Sequence, residues 1–445
     1  MMKKLPTLAL FTLLCTPTLC FAAEPLNNQL AYQLVEELTT DIGPRLAGSP
    51  ADAKAVAWAT QRLTSLGFDK VWTEEFTTPF WQRGQARLEV LSDVPQSLVL
   101  SALGGSIGTP SNGIEAPVVM FNSLEELMAA KSADVAGKIV FINKAMTKDR
   151  QGSQYGKVVG GRSKGAVEAA KLGAIAIIIR SVGTSSNRFA HTGKMSYEEG
   201  VTKIPAAAIS VPDAQQLSRI LTKNAATKIK LNMQNSAEDA ISHNVIAEIT
   251  GSERPEEIVL IGAHLDSWDQ GTGALDDGAG VGLVMATGAL IKQQSRPKRT
   301  IRVVLFGNEE GGLVGARAYA AKHSKNMKNH VFASESDFGA GRIWQFDTAF
   351  GQKSLAFAAD LQKQLAPLGI QAGNNEAFGG PDVSVLKPMG VPVASLEQDG
   401  SDYFDYHHTP NDTLDKIDPK ALEQNLQAWI IMTRMIANSD IDFRQ

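Results

Sequence analysis

The sequence predicts an α/β protein, a largely parallel sheet flanked by helices and interrupted by a small α+β domain. Three observations carry that expectation. Val245–Ile249, Ile258–Ile261 and Ile301–Phe306 are continuous apolar runs, separated or followed by helical stretches such as Gly282–Lys292. That is the pattern of strands buried on both faces and alternating with helices. From about residue 100 to 240 the segments become short, and Leu103–Gly113, rich in Gly, Ser and Pro, opens the region as a linker would. A chain of 445 residues is also too long for one ordinary compact domain.

The elements follow in order. Met1-Met2-Lys3-Lys4 is a short positive head, Leu5–Phe21 is mostly apolar, and Cys20-Phe21-Ala22 puts small residues where a signal peptidase reads. Residues 1–22 are therefore expected to be a signal peptide cut after Ala22, on a secreted or periplasmic protein. The stretch is short and holds Pro6 and Pro17, so no membrane span is expected. Both cysteines, Cys15 and Cys20, fall inside it. The remaining chain has no thiol, so disulfides and thiolate metal sites are excluded and any metal must be held by His, Asp and Glu. The net charge is −4, or −6 once Lys3 and Lys4 are removed, and no basic block suggests a nucleic-acid partner.

Leu30, Leu34 and Leu38 mark a first helix, and Ala51–Leu66, stopped by Gly67, a second. Strands are expected around 70–76 and 87–92. Within the interruption, Pro117–Phe121, Ile139–Ile142 and Ile204–Val211 read as strands, with a helix at Val167–Leu172 leading into the very apolar Ala174–Ile179 and another up to Leu221. The expected organisation is a discontinuous main domain, residues 23–99 and 241–445, carrying an inserted domain at 100–240.

The polar residues that could carry chemistry sit after the main-domain strands, where parallel sheets place their sites. His264-Leu265-Asp266 follows Ile258–Ile261, with His264 and Asp266 on one side by period-two alternation. Asp266 could orient the His264 ring, as carboxylates do for ligating histidines. Alone, the triplet reads more simply as a polar strand end. Gly273-Ala274-Leu275-Asp276-Asp277-Gly278 opens a helix, where two acids could merely favour the helix dipole. Gly307-Asn308-Glu309-Glu310-Gly311-Gly312 follows Ile301–Phe306. Adjacent acids there repel unless a cation is present, and one can bind metal while the other acts as base. Glu335-Ser336-Asp337 and Tyr406-His407-His408-Thr409-Pro410-Asn411-Asp412 complete the set, with either histidine open to a ligand or a buried structural role. Together these groups suffice for two metal ions sharing one carboxylate.

In that order, His264-Leu265-Asp266-Ser267, Ala274-Leu275-Asp276-Asp277-Gly278-Ala279-Gly280, Asn308-Glu309-Glu310-Gly311, Glu335-Ser336-Asp337 and His408-Thr409-Pro410-Asn411-Asp412-Thr413 resemble the motifs of the co-catalytic zinc exopeptidases. These include bacterial leucyl aminopeptidases and glutamate carboxypeptidases, and the likeness extends over nearly all of the chain after the leader. The resemblance implies a three-layer α/β/α domain with a mixed, largely parallel sheet and a protease-associated domain at 100–240. It implies two zinc ions, with Asp276 bridging, His264 and Asp337 on one ion, Glu310 and His408 on the other, Glu309 as general base and Asp266 orienting His264. It also implies a cis peptide at Asp276–Asp277. The implied activity is hydrolysis of dipeptides or short peptides with free ends. Asp402, in Asp399-Gly400-Ser401-Asp402-Tyr403, could meet an α-amino group, although an exposed loop acid is the simpler reading. A second copy of the chain is compatible as a partner.

Two other readings stay in view: a glutaminyl cyclase on the same scaffold, and a non-catalytic binding protein that kept the fold. Gly104-Gly105-Ser106-Ile107-Gly108 fits Gly-x-Ser-x-Gly, but Thr109-Pro110-Ser111 does not start the helix that such a nucleophile needs. His191-Thr192-Gly193 in the insertion could reach over the active site, but reads more simply as an ordinary loop.

Overall fold

The computed structural model describes residues 27–445; the expected leader, 1–22, lies outside them. The main domain is built on an eight-stranded sheet. Its order is Lys70–Gln82, Ser236–Ile249, Arg299–Phe306, Arg254–His264, His330–Glu335, Val393–Gln398, Ile343–Ala349, Gln371–Ala372. The central strands Arg299–Phe306, Arg254–His264, His330–Glu335 and Val393–Gln398 run parallel, and antiparallel neighbours flank them. The sheet is thus mixed, as implied.

Alternation along each strand separates two cores. Val259, Ile261, Ile301, Val303 and Leu305 pack on one side with helices Leu30–Glu37, Ala279–Gln294 and Pro419–Asn438. Leu260, Val304 and Phe306 pack on the other with Ala316, Tyr319 and Ala320 of helix Val314–His323. Helices on both faces make three layers. Ala274–Gln294 is long and apolar enough for a membrane span, yet all of that window is buried inside the protein. It is the core helix that starts at the site. Helix Pro50–Ser65 begins where Ser49 accepts the Asp52 N–H at 3.1 Å with proline in its first turn, and Asp418 with Pro419 does the same for Pro419–Asn438.

A second eight-stranded sheet forms the insertion, in the order Gln96–Leu98, Ala86–Leu91, Lys228–Met233, Ile114–Phe121, Ile139–Ile142, Ala176–Arg180, Ala206–Ile209, Leu100–Ala102. It hangs from a two-stranded ribbon: Gln82 pairs with Ser236 where the chain leaves and returns. Its strands therefore begin at Ala86, earlier than the boundary expected at 100. The compositional change at Leu103–Gly113 is a loop that follows the strand Leu100–Ala102 of this sheet. Lys70–Gln82 runs on through Pro79, beyond the expected 76, which an edge strand tolerates because its free side needs no donor.

Candidate active site

Three parallel strands end side by side. His264 closes Arg254–His264 opposite Phe306, the last residue of its neighbour, and Gly262 lies opposite Glu335. The strand ends thus deliver His264, the Asn308–Glu310 turn and the Glu335–Asp337 segment to one place. Asn308 adopts φ 56°, a left-handed turn that asparagine tolerates better than most residues.

Asp276 is the centre of the cluster. Its Oδ1 lies 3.0 Å from His264 Nε2, and its Oδ2 lies 3.2 Å from His408 Nε2. Asp337 Oδ1 is 3.5 Å from His264 Nε2, and Glu310 Oε2 is 3.1 Å from His408 Nε2. His264, Asp276, Asp337, Glu310 and His408 are therefore brought together as two groups that share Asp276. Of the tandem histidines, His407 Nε2 is also near, at 3.7 Å from Asp276 Oδ2, with its ring stacked on His408. Glu335 is turned away and accepts the Val383 N–H at 3.0 Å. The Asp276–Asp277 peptide is cis.

Asp266 behaves differently from the simple expectation. The His264 Nδ1 group is 2.9 Å from the main-chain oxygen of Asp266 and 3.7 Å from its carboxylate. That carboxylate instead accepts the Glu309 N–H at 3.0 Å. The backbone of residue 266 orients the ring, and the side chain ties down the Glu309 turn.

The electrostatics are those of a crowded acid cluster. Burial raises Glu310 to about 7, with Asp276 adding to it against His408. Burial also lifts Glu309 well above the ordinary range, helped by Asp337 and Glu310. Burial alone would raise Asp276, but the His264 and His408 rings hold it well below. Burial would lower His408, yet Glu310 and Asp276 bring it to about 9. Asp276 Oδ2 and Glu310 Oε1 are buried and accept no hydrogen bond. Imidazole and carboxylate donors around unsatisfied buried oxygens suit a divalent cation.

Tyr155, Arg162, Lys194, Asp276, Glu309 and Glu310 are among the residues lining a cavity of about 320 Å³, closed further by Phe338, Tyr403 and His407. Tyr155, Arg162 and Lys194 come from the insertion, and composition gave no signal for them. Arg162 Nη1 is 3.4 Å from His408 Nδ1 and its Nη2 donates to the Tyr155 hydroxyl; Lys194 donates to the Gly311 carbonyl. His191, expected to be an ordinary loop residue, is buried with Nδ1 2.8 Å from the His407 carbonyl, and the Thr192 N–H donates to His408 O at 3.0 Å. Asp402 is paired with Lys148 at 3.0 Å and its side chain is 76 % exposed. It lies outside the cavity lining, so its position gives no support to the α-amino role. Ser106 Oγ accepts the Ala206 N–H at 2.8 Å and donates to Ile107 O, a structural use. Sequence reading also passed over Arg45, fully buried beneath the loops at 265 and 272–273.

Comparison with known proteins agrees with this geometry. Residues 244–433 match the profile of peptidase family M28, and residues 98–217 match the PA domain. The chain is 37 % identical over 412 residues to human carboxypeptidase Q, covering 92 % of this chain and 86 % of that one. It is 25 % identical to aminopeptidase YwaD of Bacillus subtilis, over 90 % of this chain and 83 % of that one. A crystal structure of a peptidase M28 precursor from Shewanella amazonensis superposes with a TM-score of 0.92 at 52 % identity, covering 94 % of this chain and 95 % of that one. The chain belongs to peptidase family M28, a metallopeptidase with a protease-associated domain set into its catalytic chain.

Proposed function

We propose that the protein is an exported di-zinc exopeptidase that hydrolyses dipeptides or short peptides with free ends. One observation carries the count of two: the oxygens of Asp276 face different histidines, His264 at 3.0 Å and His408 at 3.2 Å, each with its own further carboxylate. One ion would be held by His264, Asp276 and Asp337, the other by Asp276, Glu310 and His408. Zinc is favoured because a zinc aminopeptidase from Bacillus subtilis shares the fold, TM-score 0.68. Bound there, zinc supplies Lewis acidity, making a water nucleophilic at neutral pH and polarising the peptide carbonyl.

The chain's own residues do the rest. No hydrogen bond or ion pair among the described residues engages the Glu309 carboxylate, although it lines the cavity. It is free to take the proton of the attacking water and return it to the leaving amine, while Asp266 fixes its backbone. Arg162 and Lys194 are the cations available to the free carboxylate of a short substrate. The insertion, held over the cavity by Thr192, Lys194 and His191, leaves room for short chains and excludes folded ones. Export is supported by the leader-like residues 1–22.

A panel of one dipeptide with free, N-acetylated and C-amidated ends, run with and without chelator, tests the proposal. Fast cleavage only of the unblocked peptide, abolished by chelator and restored by zinc, is expected. Internal cleavage of intact proteins, or equal rates on blocked peptides, would refute the exopeptidase reading.

A further inference from the structure

Asp276 can serve two groups only if the backbone beneath it is held still. That backbone, Thr272–Asp276, opens the helical turn Ala274–Gly278, in which the Gly278 N–H donates to the Gly273 carbonyl at 3.0 Å, and it is also held from outside. Its carbonyls at Thr272 and Gly273 accept from Arg45, Nη1 at 2.8 Å and Nη2 at 2.9 Å. Its next three amides run the other way: Ala274 and Leu275 donate to Asp412 Oδ1 at 2.9 and 2.7 Å, and Asp276 donates to Asp412 Oδ2 at 3.2 Å. The reversal occurs at Gly273, φ 61°. A Cβ there would lie 2.4 Å from Ser267 Cβ and 2.8 Å from Arg45 Nη1, so glycine is required on both counts.

Arg45 also ties this loop to the other side of the site. Its Nε donates to the Leu265 carbonyl at 2.5 Å, and its own N–H donates to Ser267 Oγ at 3.2 Å. The guanidinium is 0 % exposed and makes no ion pair within 4.0 Å among the described residues. All its contacts are neutral carbonyls, a costly way to bury a charge unless the surroundings compensate it. Asp412, Asp266, Asp277 and Asp276 are the acids around it, and burial raises Asp412 to about 7. Three consecutive amides converging on one carboxylate form the complementary anion nest, and hydrogen bonds to charged partners are the stronger kind.

We infer that Arg45 and Asp412 are a pair of positioning residues of opposite charge that clamp Thr272–Asp276 from its carbonyl and amide sides, and so set the affinity of the site for its metal ions. Neither touches the reacting atoms. Both act through Asp276, and the inference rests on the two-metal reading above. Partners behind a ligand typically change metal affinity by about 10–100-fold, and because both hold one loop their effects are coupled rather than independent.

The test uses the full chain, stripped of metal and titrated with zinc alone against a chromophoric chelator. The variants are R45K, which keeps the charge but cannot reach both loops, D412N, which keeps the shape, and the double variant. Melting of the metal-free forms and kcat and KM on an unblocked dipeptide are measured beside it. Expected are zinc affinities weaker by about 10–100-fold in each single variant, a loss expressed in kcat with KM within about threefold, and a double variant no weaker than the worse single one. Zinc affinities within twofold of the parent, or effects that add in full, would overturn the inference. Should R45K fail to fold, D412N decides alone on the same criterion. A parent chain that binds no zinc would overturn the two-metal reading itself, and the inference with it.

Discussion

Replacing Glu309 by glutamine separates the base from the ligands. The substitution keeps the size of the side chain and removes only its ability to hold a proton. Among the described residues the Glu309 carboxylate has no hydrogen-bond or ion-pair partner to lose, and its backbone tether, the N–H to Asp266 Oδ1 at 3.0 Å, is untouched. Metal content should therefore be unchanged. A positioned general acid–base group contributes about 10²–10⁴-fold, or roughly 2.7–5.4 kcal/mol of barrier at 1.36 kcal/mol per decade. Glu310→Gln is the control. Glu310 Oε2 lies 3.1 Å from His408 Nε2, so its loss should weaken metal binding as well as rate. Zinc per chain by elemental analysis and kcat on an unblocked dipeptide, measured on both variants, decide the matter. If Glu309→Gln strips the metal while Glu310→Gln keeps it, the two roles are reversed and the reasoning fails.

Other outcomes follow from the same geometry. His408→Ala should lower zinc content, whereas His407→Ala, whose nitrogen stands at 3.7 Å from Asp276 against 3.2 Å for His408, should leave it largely in place; equal loss in elemental analysis would count against the choice. Arg162→Met should raise KM for a free dipeptide by about 10–100-fold, the worth of one charged hydrogen bond, and change KM little for its C-terminal amide; equal changes on both would remove the carboxylate role. Ser106→Ala should keep activity within about twofold while lowering the melting temperature, since the Ala206 N–H loses its acceptor. Burial would raise Glu74, but His323, Trp72 and Lys322 hold it at about 2. Its folded pKa lies below its unfolded one, so its stabilisation is present above pH about 4.5 and is lost as pH falls toward 2. Glu74→Gln should accordingly lower stability at pH 7 and flatten the acid limb of a pH–stability curve, which denaturant melts would show.

Much of the main domain was legible because its strands are buried on both faces. Ile258–Ile261 and Ile301–Phe306 could only be interior, and both fall inside observed parallel strands. The strand Ile343–Ala349 was not read, because Trp344, Gln345 and Asp347 interrupt any apolar run. The metal-site candidates were legible only as a set, since each alone also reads as a strand end, a helix start or a structural histidine. Arg45 was not. Its acceptors are main-chain carbonyls 220 to 228 residues away, and no local pattern announces a contact of that kind. Arg162 and Lys194 were missed for a related reason. They belong to the insertion, and only the folded ribbon from Gln82 to Ser236 brings that domain over the site. Asp402 looked suited to an amine by residue type, but Lys148 already meets it.

The central claim is a pair of zinc ions sharing Asp276, and equilibrium zinc binding to the metal-free chain and to Asp276→Asn tests it most directly. The account predicts two ions per parent chain, with activity rising as the sites fill, and a variant that retains neither tightly because each Asp276 oxygen faces a different histidine. One ion per parent chain, or an Asp276→Asn variant that still holds two, would contradict it.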